Sequence, residues 1–273
     1  DAFIKAGVER SSTIIALGGG VVGDMVGFAA ATFLRGVPWV NVPTTLLSMV
    51  DSSLGGKTGI DLPQAKNLVG AFYPPRFVLA DPLVLDTLPV RELRSGLAEV
   101  IKHGVIGDPD LYGLCSEGLE KIKEDLPKIV CQGMAIKVKV IEIDPFEKGI
   151  RQGLNLGHTI GHGVEISSGF SISHGEAVGI GMVAEAHLAE KMGLAEPGTC
   201  ADISDVLTRL GLPTQMPQEI PVKNVIAAMQ LDKKRAAGKI HFALPLKIGE
   251  VKTGVVIDDW QEKVTQVLDC RSI

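Results

Sequence analysis

The chain of 273 residues is 45% hydrophobic and 22% charged, a composition typical of soluble enzymes, and it is long enough for two domains. A net charge of −5 argues against a general nucleic-acid binder, and no apolar run reaches the roughly 18 residues of a membrane span. Four cysteines without a CxxC pair predict reduced thiols, and hence a cytoplasmic protein, rather than a disulfide framework or a cysteine zinc site.

The N-terminal part alternates between strand and helix patterns. A β-branched run at 13–17 predicts a strand, the glycines at 18–20 predict a turn, and the alanine-rich stretch at 21–32 predicts a helix. Further strands are predicted at 39–42 and 77–80, where the chain is again apolar and then meets a proline. Strands that alternate with helices imply a parallel sheet that is covered on both faces.

After about Pro89 the pattern becomes mainly helical. Helices are predicted at 91–104, 119–142, 154–168, 176–192, 202–210 and 221–231. A short strand pair is expected near 240–244 and 250–256. The sequence therefore predicts an α/β fold in two parts, a Rossmann-like parallel-sheet domain at 1–88 and a mainly α-helical domain at 89–273.

The glycine turn has the form of a nucleotide-binding motif. The segment GGGVVGD at 18–24 follows a predicted strand and opens a predicted helix, although it is not a strict GxGxxG. Glycines let the backbone approach a pyrophosphate, and the dipole of the following helix favours negative charge. The alternative is a tight strand–helix turn that binds no ligand.

Three histidines and a glutamate form a candidate metal site. His158 and His162 are four residues apart and share one face of a helix, and His174 follows twelve residues later. Glu99 lies upstream among apolar residues of another helix. Imidazole and carboxylate are the ligands that zinc-type ions prefer, and a catalytic site uses three of them. Spacing alone predicts His158, His162 and either His174 or Glu99.

Basic and polar side chains recur near these motifs, at Lys57, Lys66, Asn67, Lys102, Lys137 and Arg151. Cationic groups that converge beside a metal would bind an anionic substrate rich in oxygen. The segment GGKT at 55–58 resembles the end of a Walker A loop. That motif needs a glycine five residues before its second glycine, where this chain has Asp51, so we reject an NTPase.

Taken together, these segments resemble the 3-dehydroquinate synthase family. The matching stretches are GGGVVGD at 18–24, PTTLLSMVDSSLGGKTGI at 43–60, KNLVGAFYPP at 66–75, GLAEVIKHG at 96–104, RQGLNLGHTIGH at 151–162 and HGEAVGIGM at 174–182. A weaker likeness covers DKK at 232–234 and HFALP at 241–245. Six stretches in the family's order are far more specific than any single motif.

The resemblance implies a role for each matching residue. Glu99, His158 and His174 match the metal ligands, for zinc or cobalt, so His162 becomes a catalytic residue rather than a ligand. The positions that match the NAD site are Gly19, Gly20, Val21, Asp24, Thr44, Thr45, Asp51 and Lys66. The positions that match substrate contacts are Asp51, Lys57, Asn67, Lys102, Lys137, Arg151, Asn155 and Lys234. Lys57, Lys102, Glu147, Arg151 and Asn155 join His162 as expected catalytic residues. Arg35 matches an arginine that reaches a substrate phosphate in the neighbouring subunit, so a homodimer is implied.

The resemblance also implies a reaction, the conversion of 3-deoxy-D-arabino-heptulosonate 7-phosphate to 3-dehydroquinate and phosphate in the shikimate pathway. NAD takes a hydride from a ring hydroxyl, phosphate is eliminated, NADH returns the hydride, and an intramolecular aldol step closes the carbocycle. NAD is regenerated in each turnover, so the net reaction is that of a lyase. A metal ion that binds the hydroxyl would lower its pKa, and His162 would assist proton transfer.

Several alternatives remain at this point. Other sugar phosphate cyclases, which make inosose, valiolone or amino-dehydroquinate products, share the metal and NAD motifs. Group III metal-dependent alcohol dehydrogenases share the architecture, and a remnant without catalysis would only bind or dimerise. Family members also carry a nucleotide-binding segment upstream of the position that corresponds to residue 1, so we expect the N-terminal domain to be partial here.

Overall fold

A computed structural model describes residues 1–62, 65–235 and 239–269, without the side chains of residues 65–67 and 232–235. The chain forms two compact units, Asp1–Gly96 and Leu97–Ile273. The boundary between these units lies at 96/97, whereas the sequence places the domain boundary at 88/89.

The first unit begins with a βα motif. Helix α1 spans Ala2–Lys5, strand β1 spans Ile14–Gly18, helix α2 spans Gly20–Thr32 and strand β2 spans Trp39–Pro43. Strands β1 and β2 pair in parallel, with Ile14 opposite Trp39. A small core joins them to the helix through Ala16, Ala30, Val37 and Trp39. The predicted strand, glycine turn and helix are therefore confirmed.

The rest of the first unit differs from the prediction. Strands β3 (Lys57–Leu62) and β4 (Ala65–Phe72) form an antiparallel hairpin in a segment for which no strand is predicted. The strand predicted at 77–80 is wrong for most of its length, because it contributes only a single parallel bridge between Val78 and Asn41. Asp81 and Pro82 then start a 3-10 turn that ends the extended segment.

The second unit is mainly helical, as predicted. Its helices are α3 (Val90–Gly107, which begins in the first unit), α4 (Pro109–Ser116), α5 (Leu119–Glu124), α6 (Leu126–Ile143), α7 (His158–Ser167), α8 (His174–Lys191), α9 (Thr199–Arg209), α10 (Val222–Arg235) and α11 (Trp260–Asp269). The antiparallel pair β5 (Phe242–Lys247) and β6 (Glu250–Val255) confirms the predicted strand pair.

Two helix predictions need correction, and two further helices lie where none was predicted. The single helix expected at 119–142 is broken at Asp125, because Pro127 has no N–H and fits only the first turn of a new helix. Helices α4 and α11 were not predicted at all. The helix expected from residue 154 begins at His158 instead, because a 3-10 turn at Ile150–Asn155 precedes it and Gly157 adopts a left-handed φ of 78°.

Helices α7 and α8 form a tightly packed hairpin at the centre of the second unit. A Cβ at position 181 would overlap the carbonyl oxygen of Gly157, and a Cβ at position 161 would lie 2.7 Å from the carbonyl oxygen of Ala177. Glycines at these positions therefore let the two main chains touch. The surrounding core includes Ile160, Val164, Ile180 and Leu188.

Side-chain caps fix where both helices of this hairpin begin. Ser173 and Glu176 form a capping box at the start of α8, with the Ser173 N–H donating to Glu176 Oε2 over 2.7 Å. Buried Glu185 on α8 accepts hydrogen bonds from the N–H groups of Gly157 (2.6 Å) and Ile160 (3.1 Å) at the start of α7. These bonds satisfy donors that have no partner within the helix.

The structure also bears on the membrane spans and the disulfides that the sequence does not predict. Across the described residues, no helix is both long and apolar enough to cross a membrane. Cys115, Cys131 and Cys200 are free thiols, and Cys270 lies outside the described residues.

Candidate active site

The predicted cofactor residues of the first unit lie at the carboxyl ends of β1 and β2. The N–H of Thr44 donates to the carbonyl of Gly18 over 2.9 Å, which joins the two strand ends. A Cβ on Gly19 would lie 3.0 Å from Thr45 Cγ2, and one on Gly20 would lie 2.9 Å from Ser52 Oγ. The turn after β1 therefore lies against the segment after β2, where parallel α/β sheets bind their ligands.

Helix α2 presents the end of its main chain at this turn. Gly19 is its N-cap and makes no side-chain capping bond, so the N–H groups of the first turn can serve an anionic ligand. Val21 and Asp24 follow on the same helix. Asp51 lies in a π-helical turn at Ser48–Ser52, a distortion that is frequent at functional sites.

Other predicted residues of the first unit lie at its surface. Lys57 is exposed at the start of β3. Arg35 is exposed and has a φ of 67°, and the preceding Leu34 has a φ of 50°. Two successive residues other than glycine therefore adopt the left-handed backbone conformation that favours glycine. The side chains of Lys66, Asn67 and Lys234 lie outside the described residues.

A charged cluster surrounds Glu99 in the second unit. The Glu99 side chain is completely buried, and its Oε1 lies 3.0 Å from His174 Nε2 and 3.5 Å from His158 Nε2. Its other oxygen, Oε2, forms an ion pair with Lys102 Nζ, and Lys102 is only 1% exposed. One fully buried carboxylate therefore contacts two partly exposed imidazoles and a buried ammonium group.

The three histidine rings converge on one point. Potential ligand atoms of His158, His162 and His174 all lie within 4.8 Å of one another. The ring of His162 has its centroid 5.1 Å from that of His158 and 6.2 Å from that of His174. His158 Nδ1 lies 3.2 Å from the carbonyl oxygen of Leu156, so Nδ1 carries the proton and the Nε2 lone pair faces Glu99. The geometry accommodates the set of three histidines as well as the set of Glu99, His158 and His174.

Charge within the cluster shifts its pKa values. Burial raises the pKa of Glu99, but Lys102 and the neighbouring histidines outweigh burial and hold it well below its usual range. Burial, helped by the charge of Lys102, lowers the pKa of His158 well below its usual value. Burial also lowers the pKa of His174, but Glu165 and Glu99 outweigh it and raise the pKa to about 9. The cluster therefore holds an anionic carboxylate beside a neutral His158.

The loop after α6 is organised by one carboxylate. Asp144 accepts hydrogen bonds from the N–H groups of Lys148 (2.9 Å), Gly149 (2.7 Å) and Arg151 (3.2 Å). Glu147 lies within this loop in a left-handed conformation, with a φ of 58°. The hydrogen bonds, that of Lys148 above all, lower the pKa of Asp144. The fold therefore stabilises an uncommon backbone at a predicted catalytic residue.

The same loop brings three predicted residues together. Asn155 Nδ2 donates to Glu147 Oε1 over 3.0 Å, and buried Arg151 donates to the carbonyl of Pro145 over 2.6 Å. Glu147 and Asn155 line a cavity of about 170 Å³. Lys137, also predicted as a substrate contact, is buried on α6.

Sequence reasoning missed several residues near these sites. Gln152 and His241 line the cavity with Glu147 and Asn155; both lie in stretches that match the family, but the resemblance assigned neither of them a role. Glu165 and Glu185 are buried carboxylates of the α7–α8 hairpin. Helical spacing could have indicated Glu165, which lies seven residues after His158 and thus on the same face of α7.

Solved structures with a similar fold include a 2-epi-5-epi-valiolone synthase from Streptomyces hygroscopicus subsp. jinggangensis with NAD+ and Zn2+ bound. It matches at a TM-score of 0.90 and 31% identity, over 98% of this chain and 76% of that one. A 2-deoxy-scyllo-inosose synthase, in complex with carbaglucose-6-phosphate, NAD+ and Co2+, matches at a TM-score of 0.86 and 28% identity, with the same coverage. The protein therefore has the fold of the sugar phosphate cyclases, and the predicted α/β class is confirmed.

Sequence relatives define the family more narrowly. Residues 1–95 match the family described as 3-dehydroquinate synthase N-terminal, and residues 96–235 match 3-dehydroquinate synthase C-terminal. A 3-dehydroquinate synthase from Synechocystis sp. is 48% identical over 272 residues, which cover 97% of this chain and 75% of the relative. The chain belongs to the 3-dehydroquinate synthase family, as the motifs predict.

Proposed function

We propose that the protein is a NAD- and metal-dependent phosphorus–oxygen lyase that converts 3-deoxy-D-arabino-heptulosonate 7-phosphate to 3-dehydroquinate and phosphate. Membership of the family supports this activity. The observation that carries it is the convergence of His158 Nε2 and His174 Nε2 on one oxygen of buried Glu99. Burial of a charged carboxylate costs free energy, so its retention beside two histidines favours a catalytic protein over one that only binds a ligand.

A divalent cation fits this cluster. One carboxylate oxygen and two imidazole nitrogens are a donor set that zinc-type ions prefer. Both nitrogens, His158 Nε2 and His174 Nε2, lie within 3.5 Å of Glu99 Oε1. Glu99, His158 and His174 would hold the ion. A bound ion of this kind would supply Lewis acidity that makes a substrate hydroxyl easier to deprotonate.

The remaining residues of the cluster would serve the substrate. His162 faces both His158 and His174, and its ring nitrogens would hold or move a proton during the reaction. Lys102 would stabilise negative charge on substrate oxygens, since its ammonium is buried and already oriented by Glu99. Because these groups are held in place before the substrate arrives, little reorganisation is needed during the reaction.

The loop of the second unit would hold the oxygen-rich substrate. Glu147 and Asn155 face one cavity and are hydrogen-bonded to each other, so each orients the other. Buried Arg151 and Lys137 are suited to its anionic groups. Lys57, Asn67 and Lys234 are the other substrate contacts that we propose.

The turn between β1 and α2 would bind NAD. Gly19 and Gly20 allow close approach of the pyrophosphate, and the N-terminus of α2 would stabilise its charge. The other residues that we propose for this site are Val21, Asp24, Thr44, Thr45, Asp51 and Lys66. NAD supplies a hydride acceptor that is regenerated in each turnover, so no net oxidation occurs.

We further propose a homodimer in the cytoplasm, with Arg35 reaching a substrate phosphate in the neighbouring subunit. The exposed position of Arg35 and its left-handed backbone support this role, because such backbone strain is typical of functional positions. A second candidate activity is that of another sugar phosphate cyclase. It is favoured by the TM-score of 0.90 with 2-epi-5-epi-valiolone synthase, and disfavoured by the 48% identity to a 3-dehydroquinate synthase.

Phosphate release tests the proposed function. We expect the purified protein with NAD and Zn2+ to release phosphate from 3-deoxy-D-arabino-heptulosonate 7-phosphate without net formation of NADH. Glu99→Ala should lower the rate by about 10³-fold or more, because loss of the metal ion removes several kcal/mol of stabilisation from the transition state.

Glu120→Ala is the matched control, because that carboxylate is exposed on α5 and pairs only with surface Lys123 in the described structure. Its rate should equal that of the wild type. Net accumulation of NADH would instead indicate a dehydrogenase. Phosphate release from a different sugar phosphate, with none from this substrate, would indicate another cyclase.

A further inference from the structure

Helix α7 carries a third ionisable group on the face that bears its histidines. Glu165 lies seven residues after His158 and three after His162, and these intervals return to the same side of an α-helix. Its residue is only 5% exposed, and its Oε2 lies 3.9 Å from Nδ1 of His174. The histidine thus lies between two buried carboxylates, with Glu99 at Nε2 and Glu165 at Nδ1.

The two nitrogens of one imidazole have different tasks. A ring that binds a cation through Nε2 must carry its proton on Nδ1, and a partly buried N–H needs an acceptor. Histidine ligands commonly donate this outer N–H to a carboxylate, which fixes the tautomer and the ring orientation. The separation of 3.9 Å between His174 Nδ1 and Glu165 Oε2 is about 1 Å longer than such a hydrogen bond. The terminal torsion of a glutamate is soft, so a modest rotation of the carboxylate can close this gap.

We infer that Glu165 is a positioning residue, whose carboxylate accepts a hydrogen bond from Nδ1–H of His174 and so directs the Nε2 lone pair of that ring toward the cation. This inference rests on the proposed metal site. It assigns each ring its own orienting acceptor, since His158 already donates its Nδ1–H to the carbonyl of Leu156. Both histidines would then present Nε2 to the same point.

Measured Zn2+ affinity tests this role without relying on catalysis. We expect Glu165→Leu to weaken Zn2+ binding by about 10- to 100-fold, the usual effect of losing such an outer partner. Glu165→Gln should lie between wild type and Glu165→Leu, because its amide oxygen still accepts a hydrogen bond but carries no charge. The absorption spectrum of the Co2+-loaded protein and the ¹⁵N chemical shifts of the His174 ring should change with the affinity. If Glu165→Leu fails to fold, Glu165→Gln still supplies all three measurements.

Glu190→Leu is the matched control. Its carboxylate, also on the α7–α8 hairpin, accepts hydrogen bonds from the main-chain N–H groups of Gly198 and Cys200 rather than from a histidine. It should leave Zn2+ affinity and the Co2+ spectrum unchanged.

Two results would overturn the inference. One of them would leave the proposed metal site intact, and the other would contradict it as well. If the wild type binds Zn2+ and Glu99→Ala abolishes binding, but Glu165→Leu keeps the wild-type affinity and Co2+ spectrum, only the role of Glu165 is wrong. If the wild type binds no Zn2+, or Glu99→Ala binds it equally well, the proposed metal site fails together with the inference.

Discussion

The candidate site of the first unit is built from main-chain groups, whereas that of the second unit is built from charged side chains. In the first unit, the turn between β1 and α2 offers main-chain N–H groups, and its glycines leave space that a side chain would fill. In the second unit, Glu99 and Lys102 supply opposite charges that are almost entirely buried. A turn of this kind is damaged by adding atoms, whereas a buried cluster is damaged by removing them. The two sites should therefore respond to mutation in opposite ways.

The largest expected effect is the loss of one partner from the buried cluster. Lys102→Met should lower the free energy of unfolding of the metal-free protein by up to about 3–5 kcal/mol, because the buried Glu99 carboxylate loses its ammonium partner and keeps the imidazolium of His174 as a partial counterion. Urea denaturation with a chelator present measures this change. Saturating Zn2+ should reduce the difference, since a bound cation compensates the carboxylate and stabilises the folded state.

Lys121→Met is the control for this experiment. Lys121 pairs with Glu124 and Asp125 at the surface, where the lysine side chain is 44% exposed, so its loss should change stability little. Equal effects of the two substitutions would show that burial of the cluster is not what makes it sensitive.

A smaller effect, which depends on pH, is expected for Glu185. Burial raises its pKa from 4.5 to about 8, although hydrogen bonds from the α7 main chain act in the opposite direction. Between these two pKa values the folded protein holds a proton that the unfolded chain has released, so stability falls as pH rises, by up to about 1.4 kcal/mol per pH unit.

Glu185→Gln removes this titration. The free energy of unfolding of the wild type minus that of Glu185→Gln should fall from pH 5 to pH 8 and stay constant above that. Denaturation curves at four pH values measure it. A difference that rises with pH would mean that the hydrogen bonds from α7 hold the folded carboxyl below its ordinary pKa.

The smallest effect on stability is expected in the first unit. Gly19→Ala should cost about 1 kcal/mol or less, because its Cβ would lie 3.0 Å from a methyl group that can shift slightly. NAD affinity should nevertheless fall by about tenfold, the equivalent of 1.4 kcal/mol, because the methyl group lies where the pyrophosphate would approach. Titration of NAD by calorimetry measures this.

Gly113→Ala is the control for the turn. Nothing lies within 4 Å of a Cβ at that position, and Gly113 lies inside helix α4. The substitution should leave NAD affinity unchanged and raise stability slightly, because alanine favours the helix. Unchanged NAD affinity in Gly19→Ala would place the cofactor elsewhere.

Much of the fold could be predicted from local patterns, and the rest depended on distant contacts. The β1–α2 motif follows from a β-branched run, a glycine turn and an alanine-rich stretch, each of which is decided locally. The β3–β4 hairpin could not be predicted in this way, because Gly59 and Gly70 weaken its strand pattern. Their main chains approach so closely that a Cβ on Gly59 would lie 2.7 Å from the carbonyl oxygen of Val69.

The candidate metal site shows the same division. The interval between His158 and His162 predicts a shared helix face, but no interval relates Glu99 to residues 59 or more positions away. Spacing alone therefore left two ligand sets open, both of them with His162, and the family resemblance implied a third set, Glu99, His158 and His174. Glu165 was overlooked because a single glutamate in a helical pattern usually faces solvent, and only the folded structure shows that it is buried.

The close contact between the main chains of α7 and α8 has a consequence for ion selectivity. Because the two backbones touch at Gly157 and Gly181, the hairpin cannot widen to separate His158 from His174 without opening its core, nor close further. The separation of the two main chains that carry these rings is thus set by packing. We therefore expect the proposed metal site to favour cations within a limited range of radii.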